Sequence, residues 1–425
     1  MSPAAPWPPL VPAAVSNPAA LQPTGLEYFL RPGILRLPAP PPLALYVHLP
    51  WCLKKCPYCD FNSHGTPGLE AALQNRYVDA LVTDLEASLP LVWGRRVASV
   101  FIGGGTPSLF EPEVVDRLLA AVRARLPLEP GCEVTLEANP GTFERERFRA
   151  FRGTGITRLS IGVQSFDDAA LARLGRVHDA AQARAAVAEA ATAFDTWNVD
   201  LMYALPGQTP EQLGAELDEA LSFAPPHLSI YHLTIEPNTL FAVQPPELPD
   251  DDQASEMLDL IAERTAASGL ARYEVSAFAR EGHRCVHNLN YWSFGDYLGI
   301  GAGAHGKLSF PERVVRQVRW REPTTYIAQA LEGRAVSNQH EVARADLPLE
   351  FMMNALRLKE GFPLRLFAER TGLPPSAVLA RLQRARERGL VALREEGTAG
   401  EWVQPTPRGF DFLSDLTALF AAPTR

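Results

Sequence analysis

Three cysteines stand together as Cys52, Cys56 and Cys59 within YVHLPWCLKKCPYCDFN, a C-x3-C-x2-C spacing. Thiolates this close on one loop can wrap a single inorganic centre, and soft sulfur suits an iron–sulfur cluster or zinc. Zinc needs a fourth ligand, for which His48 and His64 are the nearest candidates in the sequence. A [4Fe-4S] cluster on three cysteines instead leaves one iron without a protein ligand, open to a small chelating molecule. A redox-active Cys56/Cys59 dithiol is the third chemistry that the spacing allows. Lys54 and Lys55 either offset the negative charge of such a centre or are solvated loop lysines.

Other polar groups recur at the ends of strand-like runs. Gly103-Gly104-Gly105-Thr106-Pro107 lets backbone approach a ligand, or makes a tight turn. Glu137 lies in TLEANPGT, Gln164 in SIGVQSF, Arg176 in LGRVH and Asp200 in NVDLMYALPGQ. Carboxylates suit hydroxyl donors and the forked guanidinium suits a carboxylate, although each residue alone could serve as an ion pair or a cap. Further on, His287-Asn288-Leu289-Asn290-Tyr291-Trp292 and His305 place imidazoles near aromatic rings. A histidine there either is bonded within a loop or offers its imidazole as a ligand. Cys132 reads as structural, and Cys285 as an inert thiol.

The elements that must position these groups alternate. Leu43–Leu49, Ser99–Ile102, Glu133–Glu137, Arg158–Gly162, Asn198–Met202 and Leu228–Leu233 read as strands. Glu70–Ala87, Pro112–Arg125 and Pro210–Ser222 between them carry apolar residues at helical spacing. Alternating strands and helices predict an α/β fold with a parallel sheet, either a barrel or a doubly wound sheet. Because the polar candidates fall just past the strand ends, a six-stranded partial (β/α) barrel is favoured. A helix at Glu256–Ala267, a strand at Tyr273–Ala279 and a tight loop at Gly299–Gly306 follow.

Three regions result: a weakly ordered, proline-rich tail over 1–42, the barrel with an extension over 43–340, and a C-terminal module over 341–425. In the last, helices at Phe351–Leu358, Leu364–Thr371 and Ser376–Glu387 precede a hairpin through Gly397–Gly400, the order of a winged helix. The chain has 425 residues, 46% hydrophobic and 21% charged, with net charge −9. That acidic balance argues against non-specific nucleic-acid attraction, so a DNA-responsive role for the winged-helix-like module is not expected. The apolar runs are far shorter than the roughly 20 residues of a bilayer span. The first residues lack the features of a secretory signal, and three of the five cysteines are packed into one loop, which fits the reducing cytosol.

The C-x3-C-x2-C motif with Tyr58 before its last cysteine resembles the radical S-adenosylmethionine (SAM) signature. Together with the glycine run, Glu137, Gln164, Arg176 and Asp200, it is similar to the oxygen-independent coproporphyrinogen III oxidase-like family over roughly residues 43–415. The resemblance implies a [4Fe-4S] cluster on Cys52, Cys56 and Cys59, and SAM contacts from Tyr46, Tyr58, Gly104, Gly105, Thr106, Glu137, Gln164, Arg176 and Asp200. The oxidases themselves carry a further cysteine where this chain has Phe61. The HNxxYW motif from His287, followed by the glycine-rich stretch ending at His305, resembles the heme chaperone subfamily instead. That likeness implies heme as cargo, with His287 and His305 as candidate ligands, Cys285 as a further possible group for heme, and no assigned catalytic residue. It also implies delivery to an acceptor such as a membrane respiratory complex, and it admits a homodimer. Oxidative decarboxylation of coproporphyrinogen III is the alternative.

Overall fold

The computed structural model describes residues 26–141, 144–397 and 400–422, with only the backbone at 144–146 and 396. Six parallel strands form its centre: β1 (Leu43–Leu49), β2 (Val97–Gly104), β3 (Leu128–Ala138), β4 (Arg158–Gln164), β5 (Thr196–Tyr203) and β6 (His227–His232). Each pairs in parallel with the next, so all six predicted strands are present, with ends shifted by a few residues. β1 is buried along both faces, which is why LALYVHL reads as a continuous apolar run.

Helices α1 (Ala71–Ser88), α2 (Pro112–Arg125), α3 (Glu144–Gly153), α4 (Ala180–Ala193) and α5 (Pro210–Ser222) cover the outside. α2 buries Val114, Val115, Leu118, Leu119 and Val122, one apolar stripe at helical spacing. α4 and α5 begin with capping boxes, Asp179 with Gln182 and Thr209 with Gln212, which satisfy orphan backbone donors at both starts.

After α6 (Asp251–Ala267), the short strands β7 (Ala271–Arg272) and β8 (Ala277–Ala279) extend the sheet beyond β6. Helix α7 (Val286–Trp292) then leads to β9 (Asp296–Ile300), β10 (His305–Phe310) and β11 (Arg313–Arg319), and after α8 (Pro323–Leu331) comes β12 (Val336–Glu341). The sheet order is β12-β11-β10-β9-β1-β2-β3-β4-β5-β6-β8-β7, a twelve-stranded open sheet and not a closed barrel.

Two local expectations change. The strand predicted at Tyr273–Ala279 is interrupted, because Tyr273 N–H bonds to Ala277 O and Glu274 caps Ser276 N–H, closing a turn between β7 and β8. The loop predicted at Gly299–Gly306 shrinks to residues 301–304. Gly299 belongs to β9, and a Cβ there would collide with His305 O, so glycine serves the close approach of two strands.

Residues 1–25 of the expected tail lie outside the described residues. Residues 26–42 are mostly exposed but are anchored at a few points. Phe29 and Leu35 are buried, and Arg36 N–H and Leu37 N–H bond to Gly372 O and Pro311 O. The buried Arg313 donates to the carbonyls of Tyr28, Arg31 and Pro32. These backbone carbonyls need a donor and Arg313 supplies it, an anchor that composition does not reveal.

The C-terminal module consists of α9 (Leu347–Ala355), α10 (Leu364–Thr371) and α11 (Ser376–Glu387) with a small sheet of β13 (Phe362–Pro363), β14 (Val391–Glu396) and β15 (Gly400–Pro405). Phe351, Phe362, Phe367, Leu382 and Val403 form its own core. Among the described residues no helix is long and apolar enough to cross a membrane.

α1 is tied to the sheet by a buried ion pair, Asp84 with Arg319 at 3.1 Å, joined by Tyr326 and Ser88. Asp84→Ala leaves Arg319 charged and unpaired, and should cost about 3–5 kcal/mol. Urea unfolding measures this, and the loss should be smaller when Arg319→Met is added.

Candidate functional site

The cysteine loop leaves β1 at Pro50 and is stitched to the sheet by backbone. Gly105 N–H bonds to Leu49 O and Thr106 N–H to Trp51 O, both at 2.8 Å. Gly104 has φ +117°, and a Cβ on it would stand 2.5 Å from the His48 ring, while one on Gly105 would stand 2.5 Å from Trp51 O. The glycine run therefore lets the loop lie directly on the end of β2, which is a packing requirement whatever ligand the site takes. Tyr77 reinforces the join by donating to His48 O and accepting from Ala302 N–H.

All three thiols are free. Each has a polar partner: Thr106 Oγ1 donates to Cys52 Sγ at 3.5 Å, Arg176 Nη1 donates to Cys56 Sγ at 3.6 Å, and Cys59 Sγ lies 3.5 Å from Ser63 Oγ. Donors aimed at sulfur stabilise thiolate and tune a metal cluster held by it. Burial pushes the Cys52 thiol up, a cost that a bound cation would relieve. Of the two candidate fourth ligands for zinc, His48 is already engaged. His48 uses both ring nitrogens, on Tyr46 OH and Asn62 O, both at 2.9 Å. Among the described residues no three His, Cys, Asp or Glu side chains converge as a single-ion site.

Beside this loop opens a cavity of about 440 Å³. Cys52, Cys56, Tyr58, Cys59, Gly104, Gly105, Thr106, Glu137, Gln164, Arg176 and Asp200 all line it. The reason is strand periodicity: Glu137, Ser160, Asn198 and His227 stand in one rung, and Asp200 with Ser229 in the next, because alternate residues of paired parallel strands face one side. Asn198, Ser160, His227 and Asn139 escaped notice in the sequence, although the i, i+2 spacing of Asn198 and Asp200 carried the signal.

The carboxylates are poised by burial. Glu137 is pushed up to about 7, by desolvation and then by Asp200, while it accepts Gly104 N–H at 3.0 Å. Asp200 is also raised by burial, moderated by bonds from Asn198 and Ser160. Arg176 donates to Asn139 Oδ1 and Gly162 O, yet its buried Nε has no partner among the described residues. Gln164 sits at φ +69°, a strained conformation for a non-glycine residue at a candidate site.

Three sequence candidates do not line the cavity. Tyr46 is turned to His48. His287 is buried on α7, not within a loop, stacked on Phe101 at 4.9 Å with Nδ1 3.1 Å from Ser99 Oγ. His305 is exposed at the start of β10. The neighbours of the His287 motif do reach the cavity: Cys285 and Asn288 line it.

Residues 46–220 match the Radical SAM superfamily and residues 342–412 the HemN C-terminal domain. The chain is 44% identical over 384 residues to the heme chaperone HemW of Escherichia coli (strain K12), covering 90% of this chain and 99% of that one. It is 44% identical over 390 residues to heme chaperone HemW of Haemophilus influenzae, with 90% and 99% covered. The solved structure of coproporphyrinogen III oxidase (HemN) from Escherichia coli, a radical SAM enzyme, superposes with TM-score 0.75 at 25% identity, covering 90% of each chain.

The raised Glu137 has a thermodynamic signature. Between its unfolded and folded values the native state holds more protons, so stability falls as pH rises from about 4.5 toward 7. Glu137→Gln should flatten that slope, read from thermal unfolding of the cluster-free protein across this range.

Proposed function

The chain belongs to the heme chaperone family of radical SAM proteins, and from that membership we propose that it holds a [4Fe-4S] cluster, binds SAM beside it, and carries heme to acceptor proteins of the respiratory chain. The observation that carries the reading is the meeting of three thiols, each with a polar partner and two of them accepting from a donor, with a cavity lined by Glu137, Gln164, Arg176 and Asp200. Cys52, Cys56 and Cys59 would ligate the cluster. When bound, a cluster with one iron free of protein ligands anchors SAM and supplies an electron to its sulfonium.

The chain's own groups divide the rest of the work. Arg176, with an unpartnered Nε, offers a charged donor to a carboxylate, and its Nη1 bond to Cys56 places that donor at the cluster loop. Glu137 and Asp200 accept from hydroxyl or ammonium groups, Glu137 taking up or releasing a proton near neutral pH. Gly104, Gly105 and Thr106 bring backbone to the ligand without bulk, and Tyr58, against Phe241, walls the cavity beside the cysteines.

Heme is the cargo. His305 is exposed and its pKa is lowered by partial burial, then by Arg316 and Arg321, so its imidazole is neutral and free to ligate iron. His287, driven down to about 3 by burial, is also neutral, but reaches iron only if α7 leaves Ser99 and Phe101. Phe61, 63% exposed at the cavity, stands where the oxidases have a cysteine and argues against their decarboxylation.

Anaerobic reconstitution tests the whole reading. Wild type should show cluster absorbance and tight heme binding, and should form no protoporphyrinogen from coproporphyrinogen III with SAM and reductant; decarboxylation would make it the oxidase. Cys56→Ser should lose the cluster absorbance while retaining its fold by circular dichroism. Heme titration of His287→Ala and His305→Ala names the axial ligand by the variant that loses affinity; unchanged affinity in both removes histidine ligation from the proposal.

A further inference from the structure

The cavity runs well past the residues assigned to SAM. Along β4, Gln164 is at the cysteine end and Arg158 at the other, six residues away. On that floor Thr135 and Arg158 are direct partners in the pairing of β3 and β4, and both line the cavity. Thr135 is fully buried, and its Oγ1 has no hydrogen-bond partner among the described residues. Arg158, 2% exposed, donates through Nη1 to His283 O at 2.9 Å and lies 3.7 Å from Glu133, with no acceptor on its Nε or Nη2 among the described residues. Asn198, His227, Cys285 and Asn288 are neutral walls here, while Asp200, a lining carboxylate whose charged form Arg158 favours, and Glu133 behind the floor leave the guanidinium only partly compensated. A packed barrel interior is normally filled by branched apolar side chains, so a polar floor with spare donors is built around something.

We propose that the floor of the cavity is a second ligand subsite for a carboxylate, anchored by Arg158 and completed by the Thr135 hydroxyl. The guanidinium fork and an adjacent O–H match the two oxygens of a carboxylate. The reading rests on the proposed function only in giving SAM the opposite end, where Arg176 stands; one SAM cannot place its carboxylate at both arginines. The same chemistry is offered by a free organic acid in the cavity and by a porphyrin propionate. The second is geometrically open because α7, which carries His287, closes this floor with Asn288.

The test uses the full-length, cluster-loaded chain saturated with SAM. Ligand-observed NMR titrations compare sodium propionate with propionamide, and absorbance titrations compare heme with its dimethyl ester. A carboxylate preference of at least about tenfold is expected in one pair, as for a hydrogen-bonded charged group. It should shrink severalfold in the near-isosteric Thr135→Val and in Arg158→Lys, with thermal unfolding confirming that both fold. Preference for propionate with equal affinity for heme and ester identifies a free acid. Preference for heme over ester, reduced in Thr135→Val, identifies the porphyrin side chain. No carboxylate preference in either pair, or a preference untouched by both variants, overturns the subsite. Failure of the proposed function reads differently: SAM or heme itself then fails to bind the wild-type protein, while the propionate preference persists.

Discussion

Alternate residues of a β-strand face opposite sides, and everything chemical in this protein depends on that alternation being held in register across parallel strands. β3, β4, β5 and β6 pair so that Glu137, Ser160, Asn198 and His227 share one rung, with Asp200 and Ser229 above. A slip of one residue on β5 would turn Asn198 and Asp200 outward and bring Val199 and Leu201 into the cavity. Outer-face burial under the helices, by residues such as Leu159, Ile161, Val199 and Leu228, makes that slip costly. The apolar core thus positions the polar site without touching any ligand.

The second constraint is how the cysteine loop is seated. A loop carrying three thiols has little internal structure, and the structure anchors it to bare backbone at Gly105 and Thr106 and to side chains that recur in the site. Thr106 and Arg176 both hold a cysteine and line the cavity, so the geometry of the thiols and that of the cavity cannot vary independently. Glu137 is linked in turn through Gly104 N–H. Loop, glycine run and carboxylates form one hydrogen-bonded unit.

Much of this was legible in the sequence. The six central strands and the candidate residues at their ends follow from apolar runs and from where polar residues interrupt them, and Cys52, Cys56 and Cys59 from spacing. What was not legible depends on tertiary neighbours. The burial of His287 behind Phe101 follows from α7 packing on β1 and β2, which no local pattern in HNLNYW reveals. Phe29 and Leu35 looked like part of a proline-rich tail because their partners, Phe310 and the C-terminal core, lie hundreds of residues away. The polar floor at Thr135 and Arg158 was missed because each residue alone is ordinary, and only strand pairing sets them side by side.

The strap formed by residues 26–37 also bears on how the molecule is made. Arg31 pairs with Glu341 across 310 residues, and Arg36 bonds to Gly372 in the C-terminal module. A ribosome emits the strap first and its partners last. During synthesis the barrel strands can pair in the order they emerge, each beside its predecessor, but Leu35 has no core to enter until α9 and α10 are complete. Docking of the strap is therefore among the last events of folding, and its long loop closure makes it slow relative to local steps. A nascent chain stalled before the module would display Phe29 and Leu35 to solvent, a surface that chaperones recognise in an unfinished protein.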